Sequence, residues 1–260
     1  MKTTLYWFSG TGNSLAVAKL LADQLPDCEL ISIAKAIHHP PEATERIGIV
    51  CPVYAFGPPA IVDRFIQTLK AKSNAYIFAV FTCSQTAGAS VHFLTESLRQ
   101  NGLDLSAAWV VKMPENYPPF GSAPRETVQR KMQSHAMHRV GEIVDQLRQG
   151  SPTVKEQGSV FWRTLGAVVY PAFRRYALRR SDRFFRTDNR CNGCELCARI
   201  CPVGNIRMED HVPRWLGSCE QCFACFHWCP QRAVQYGKSG RQRRYHHPAV
   251  SVRDLIRDSE

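Results

Sequence analysis

The chain has 260 residues, enough for one or two domains with a buried core, and its 44% hydrophobic content suits an ordinary globular protein and excludes a disordered one. The 33 Lys and Arg against 22 Asp and Glu give a formal charge of +11, a balance that suits acidic partners. No apolar run approaches the ~20 residues that span a bilayer, and the first residues enter a strand-like segment without a leader-type apolar region, so the expectation is a cytoplasmic protein with no transmembrane segment.

From the N-terminus, apolar runs alternate with amphipathic stretches, the pattern of a parallel α/β sheet. Strands are predicted at 3–8, 28–33, 46–53, 75–82 and 107–112, and helices at 14–25, 59–69, 90–101 and 124–149. Five strands with helices between them predict a flavodoxin-like five-stranded parallel sheet over residues 1–150, whose ligands bind at the carboxyl ends of the strands.

The loop after the first strand reads Ser9, Gly10, Thr11, Gly12, Asn13, Ser14 and opens directly into a helix. Backbone N–H groups at a helix N-terminus form an anion site, and the hydroxyls add neutral donors. A dinucleotide fingerprint would place a third glycine where Leu15 stands, and a Walker loop would need a lysine that is missing. A hydroxyl-rich loop holding a monophosphate without counter-cations matches the FMN phosphate loop of flavodoxins; the alternative is an ordinary turn ahead of a capped helix. After the third strand, Tyr54 and Phe56 offer rings for an isoalloxazine, and Gly57 offers a peptide that can change orientation, although Pro58 restricts it. After the fourth strand, Thr82, Cys83, Ser84 and Gly88 supply small polar groups and backbone donors. Glu115 is a lone loop carboxylate and His92 a helix residue, so no acid–base pair accompanies these loops.

Residues 151–187 form a basic, aromatic-rich linker. Its first part, 151–159, reads as a hinge. The rest alternates aromatics with arginines and contains Pro171, which would kink or divide a helix. Packing against another module, docking of an acidic partner and contact with a membrane surface all remain open for it.

Residues 188–236 carry eight of the eleven cysteines in two matching runs, Cys191-x2-Cys194-x2-Cys197-x3-Cys201-Pro202 and, 28 residues on, Cys219-x2-Cys222-x2-Cys225-x3-Cys229-Pro230. This is the bacterial ferredoxin spacing for two 4Fe–4S clusters, in which the fourth cysteine of each run ligates the other cluster. One cluster is expected on Cys191, Cys194, Cys197 and Cys229, and the other on Cys219, Cys222, Cys225 and Cys201. Zinc ribbons use two separated Cys-x2-Cys pairs, and a disulfide framework suits short secreted chains. Residues 237–260 read as a mobile basic tail whose histidines are not ligands.

The order of the two modules, the loop at residues 9–14 and the segment Met113-Pro114-Glu115-Asn116-Tyr117 resemble the EFR family of flavodoxin–ferredoxin fusions, the ferrodoxins. The resemblance covers most of the chain and implies FMN and two 4Fe–4S clusters, on an α/β flavodoxin-like domain followed by a small α+β dicluster ferredoxin domain. The expected role is an electron carrier between clusters and FMN, serving redox partner proteins; the alternative is an FMN-dependent reductase of a small molecule with the clusters as electron inlet. Cluster thiolates and a flavin phosphate would bring the net charge to about +5, and no nucleic-acid motif accompanies it. Flavodoxins usually cover the flavin with an aromatic from the loop after strand four; residues 82–89 contain none, leaving Tyr117 or a ferredoxin segment to serve.

Overall fold

The computed structural model describes residues 2–39, 41, 44–72 and 74–256. Five parallel strands, β1 (Thr3–Trp7), β2 (Cys28–Ser32), β3 (Arg46–Pro52), β4 (Tyr76–Cys83) and β5 (Leu105–Lys112), line up in the order β2-β1-β3-β4-β5. Alternation along each strand sends side chains to two faces, and both are covered. Leu5, Trp7, Val80 and Trp109 face helices α1 (Asn13–Gln24) and α5 (Glu126–Arg148) through Leu21, Val140 and Val144. Tyr6, Phe8, Ile49 and Phe81 face α3 (Ala60–Thr68) and α4 (Ser90–Gln100) through Phe65, Ile66 and Leu94. A short helix α2 (Ile33–Ala36), absent from the sequence reading, follows β2.

The expected hinge is a correction. Residues 152–156 lie along β5: Ala108 N–H donates to Val154 O at 2.8 Å, Glu156 N–H to Ala108 O at 2.9 Å, and Val110 N–H to the Glu156 carboxylate at 2.9 Å. Arg139 of α5 clamps the same carboxylate and Tyr76 Oη donates to Pro152 O. Val154 and Lys155 thus prolong the edge of the sheet, and the polar composition that suggests a hinge belongs to its solvent side.

Helix α6 (Val160–Ala172) follows, and Pro171 does not divide it. Two residues after Pro171 the helix widens into a π turn at 173–177, and a 3-10 segment then carries the chain to Phe184. Gly166 lets α6 approach the loop after β3 and the start of α4, since a Cβ there would lie 2.8 Å from that of Phe56 and 3.1 Å from that of Ala89. Buried Tyr170 packs on Phe93 and donates to Pro58 O, and Arg174 pairs with Asp63 of α3.

The cysteine-rich part contains two antiparallel pairs, β6 (Phe185–Thr187) with β9 (Val234–Tyr236), and β7 (Ile206–Glu209) with β8 (Val212–Trp215). Its 28-residue repeat extends to the backbone. Positive φ recurs at Gly193 and Gln221 (69° and 52°), Glu195 and Phe223 (61° and 55°), and Gly204 and Arg232 (62° and 51°). Helices α7 (Leu196–Arg199) and α8 (Ala224–His227) occupy matching places. Left-handed non-glycine residues cost of order 1–3 kcal/mol each, so their repetition marks a loop geometry imposed by what the loop must hold.

The tail is a second correction. Tyr245 and Val250 are buried, Tyr245 Oη donates to Asn13 Oδ1 at 2.6 Å, and His247 N–H donates to Thr11 O at 2.8 Å. Arg244 lies 3.3 Å over the Phe226 ring and donates to Phe226 O, while Lys19 of α1 pairs with Asp254 at 2.8 Å. The segment from Arg244 to Asp254 straps the two halves together; residues 257–260 lie outside the described residues.

Candidate functional site

A cavity of about 420 Å³ opens at the carboxyl ends of β1, β3 and β4. The loops predicted to converge there supply Ser9, Gly10, Thr11, Asn13 and Ser14 from the first, Tyr54 and Phe56 from the second, and Thr82, Cys83 and Ser84 from the third. Gly12, Gly57 and Gly88 stand behind this lining. Gly12 donates its N–H to Ser9 Oγ and presses on His247 and Val250; Gly57 abuts the Tyr170 ring, and Gly88 abuts Phe56. Tyr54 and Gly57 exchange backbone hydrogen bonds across a tight turn with Ala55 and Phe56 at φ 46° and 73°. That paired turn engages the Gly57 N–H, a further restraint beside Pro58 on the peptide that the sequence offered as able to change orientation.

The first loop is built for an anion. Helix α1 starts after Gly12, at φ 95°, and no side chain caps it, so its first N–H groups point into the loop. Ser14 Oγ and Thr82 Oγ1 share a hydrogen bond of 2.7 Å, and Asn116 Nδ2 donates to Thr11 Oγ1 at 2.7 Å. These bonds hold hydroxyls from two loops and an amide from a third around the helix start, a set of neutral donors that fits a phosphate ester.

Beyond Tyr54 and Phe56, the aromatic surfaces come from Tyr117 and the cysteine-rich part, both named by the sequence as possible covers, and from α6 and the residue after it, which were not. Phe56 stacks on Trp162 of α6 with centroids 5.6 Å apart, and Val169, Phe173, Phe120, Gln221, Cys222 and Phe223 complete the wall with Tyr117. Tyr117 Oη donates to Gln221 Oε1 at 2.6 Å, and burial pushes its hydroxyl pKa up. Glu115, the one carboxylate at the rim among the described residues, accepts from Ser84 Oγ and from the N–H groups of Asn116 and Tyr117, so it is spent on shaping its loop. His92 lies on α4 against Phe93, away from the cavity.

The eight cysteines separate into the two expected quartets. Cys201, Cys219, Cys222 and Cys225 line one small cavity, and Cys191, Cys194, Cys197 and Cys229 line another. Backbone N–H groups point at their sulfurs, Asn205 to Cys201 at 3.2 Å, Gln221 to Cys219 at 3.3 Å and Ala233 to Cys229 at 3.3 Å, the first and last related by the 28-residue repeat. Burial pushes the thiols of Cys197 and Cys219 up to about 12, and Cys222 and Cys225 well up for the same reason, with neighbouring sulfurs adding to it. Such thiols stay protonated unless a Lewis acid removes the proton. Among the described residues no His, Cys, Asp or Glu trio converges on a single ion.

The two sites touch. A Cβ on Gly10 would lie 2.1 Å from Cys222 O, so the anion loop and the inner cysteine loop meet backbone to backbone and only glycine fits. Trp228 Nε1 donates to Gly10 O at 3.0 Å, and His227 Nε2 bonds to Asn116 O at 2.8 Å. Glu220, 3% exposed, accepts from Ile61 N–H at the start of α3 and from Arg64 at 2.7 Å. The sequence hinted at none of these, because each joins residues more than 100 positions apart.

No protein-family model and no curated protein matches the chain. Among solved structures, a flavoprotein in complex with FMN from Lactobacillus acidophilus aligns at 15% identity over 42% of this chain and 92% of its own, with a TM-score of 0.33. A Streptococcus pneumoniae flavodoxin aligns at 14% over 52% and 95%, with a TM-score of 0.34. An FMN-dependent NADH-azoreductase from Bacillus anthracis, in complex with FMN, aligns at 10% over 56% and 99%, with a TM-score of 0.36. Likenesses this distant carry no argument about ligands, and the fold assignment rests on the strand order β2-β1-β3-β4-β5 with helices on both faces. The N-terminal half is flavodoxin-like.

Proposed function

We propose that this protein is an electron-transfer iron–sulfur flavoprotein, as its resemblance to the EFR ferrodoxins implies, with FMN in the large cavity and a 4Fe–4S cluster on each cysteine quartet. The observation that carries the reading is the contact of Cys222 with the anion loop at Gly10: a cysteine of one quartet is also a wall of the cavity. When bound, a flavin takes electrons singly or in pairs and each cluster passes one.

The chain supplies placement. Residues 9–14, with Thr82, would hold the phosphate, and Tyr54, Phe56, Trp162 and Phe223 would flank the ring and exclude water. The N–H groups aimed at Cys201, Cys219 and Cys229 raise the potential of whatever those sulfurs bind. The quartets are unequal: Cys201 and Cys225 are buried and Cys222 lines the large cavity, whereas Cys194 is exposed. The quartet of Cys191, Cys194, Cys197 and Cys229 is therefore the face offered to a redox partner protein, with exposed Arg199 and Glu195 beside it and Arg190 paired to Asp188. The reductase reading is weaker, since Glu115 is already engaged and no other carboxylate or histidine lines the cavity among the described residues.

Anaerobic purification with assay of iron, sulfide and flavin tests the cofactor set, with about eight irons and about one FMN per chain expected. Stopped-flow reduction then tests the wiring. If Cys222→Ser removes the inner cluster signal yet leaves the flavin reduced at the wild-type rate by a donor acting at the outer quartet, the two sites are not coupled.

A further inference from the structure

Helix α6 is apolar on both faces, and only one of them is used by the protein. Its inner face carries Trp162, Gly166, Val169, Tyr170 and Phe173 onto the cavity and the loop after β3. Its outer face carries Val160, Phe161, Leu165 and Val168, which are 73%, 67%, 36% and 70% exposed. Thr164, Pro171 and Ala172 complete that face, so one turn after another presents no charge to solvent. A soluble helix normally keeps this side polar, and a continuous exposed apolar stripe marks a contact surface.

The charges lie beyond the stripe, and from residue 157 to 181 all have one sign. There is no Asp or Glu in that span, and Arg163, Arg175, Arg179 and Arg180 are exposed at its edge and C-terminal end, with Asp182 and Arg183 just beyond. Tyr176 and Phe184, 59% and 49% exposed, continue the apolar surface among those arginines. A second copy of the chain is a poor occupant, because a symmetric contact through this face would offer its arginines no carboxylate, residues 157–181 containing none. A purely acidic protein surface would satisfy the arginines and leave the valines and Phe161 without a counterpart. A bilayer rich in anionic lipid satisfies both, with side chains in the acyl boundary and guanidinium groups among the phosphates.

We infer that α6 and the arginine-rich segment after it dock the protein on an anionic membrane surface. The helix lies flat: its 13 residues reach ~20 Å, too short for a hydrocarbon core of ~30 Å, and no described helix is long and apolar enough to cross. Because the same helix walls the cavity with Trp162 and Val169, docking sets the cavity against the lipid surface and leaves the exposed cysteine quartet on another element for a soluble partner. This inference does not depend on which cofactors the protein holds.

Flotation of the full protein, with its cofactors as purified, on vesicles of phosphatidylcholine alone and of phosphatidylcholine with about one third phosphatidylglycerol tests it. Binding to the anionic vesicles alone is expected, weakening as salt rises. Val168→Asp and Phe161→Ser should each weaken it by about tenfold or more, and a paired Arg175→Glu, Arg179→Glu change by a similar factor. Both apolar positions are exposed and outside the cavity lining, so an unchanged visible spectrum and circular dichroism would accompany the loss. Failure of the wild type to float at about 0.1 M salt overturns the proposal. So does vesicle binding indifferent to both apolar variants, which would mean a charge-only surface for acidic proteins. Concentration-dependent dimers that Val168→Asp abolishes, without flotation, would assign the face to a second copy and overturn it equally.

Discussion

Gly10→Ala tests whether the two halves meet as described. A Cβ at this position would stand 2.1 Å from the Cys222 carbonyl oxygen and 3.0 Å from the Cys222 Cβ, and the first obstacle is backbone, which cannot rotate away. Relief requires the loop at residues 9–14 and the loop at residues 219–223 to part by about 1 Å, from the 3.0 Å floor that real Cβ contacts respect. That displacement breaks the buried bond from Trp228 Nε1 to Gly10 O. Overpacking of this kind costs about 1–3 kcal/mol and the lost bond about 1 kcal/mol, so a destabilisation of about 2–4 kcal/mol is expected. In a protein of this size it lowers Tm by about 5–15 °C. Thermal unfolding of the holoprotein, followed by circular dichroism and by loss of visible absorbance, measures it. Flavin retention should fall in parallel, because the displaced loop is the proposed phosphate cradle. A Gly10→Ala protein melting within about 2 °C of wild type with undiminished flavin would refute the contact and, with it, the argument that Cys222 forms part of the cavity wall.

Two further predictions concern the same interface. Glu220→Ala leaves Ile61 N–H without its acceptor and Arg64 without its partner, which should cost about 2–3 kcal/mol in denaturant unfolding, and a cycle with Arg64→Ala should show coupling of about 1 kcal/mol; additive effects would mean the pair is incidental. His247 is buried and beside His246, which holds its pKa down near 4, and its Nδ1 accepts from Ala249 N–H. The folded protein resists a proton that the unfolded chain accepts at about 6.5, so stability is complete above that pH and declines as pH falls toward 4, by at most about 3 kcal/mol from this group. His247→Gln should flatten that part of the curve, and a wild-type-like decline in the variant would locate the titration elsewhere.

Most of the sheet was legible because its signal is local. Continuous apolar strands such as residues 76–83, separated by periodic helices, admit few arrangements, and the observed strands and longer helices depart from the expected bounds by only a few residues. The cysteine quartets were legible because repeated spacing encodes the loop. The strap and the cavity wall were not. The basic segment from Gly237 to His247 reads as solvated tail, yet Arg244 spends its charge on backbone carbonyls and a ring face, and Tyr245 finds Asn13 at a separation of 232 residues. Trp162 and Phe173 sit in a stretch whose composition reports that something packs there without reporting what. Such partners are chosen by tertiary geometry, and neither periodicity nor propensity carries that information.

The same geometry accounts for the absence of an aromatic in residues 82–89. A small polar loop there leaves room for α6, whose Gly166 comes against Phe56 and Ala89 and brings Trp162 onto Phe56, while Phe223 enters from between two cysteines of the inner quartet. The cover of the cavity is thus shared by a helix with an exposed apolar back and a loop that belongs to a cysteine quartet. The fold therefore gives up a self-contained site in its N-terminal half, and the cavity becomes complete only when the segment at 160–173 and the cysteine loop at 219–223 are in place.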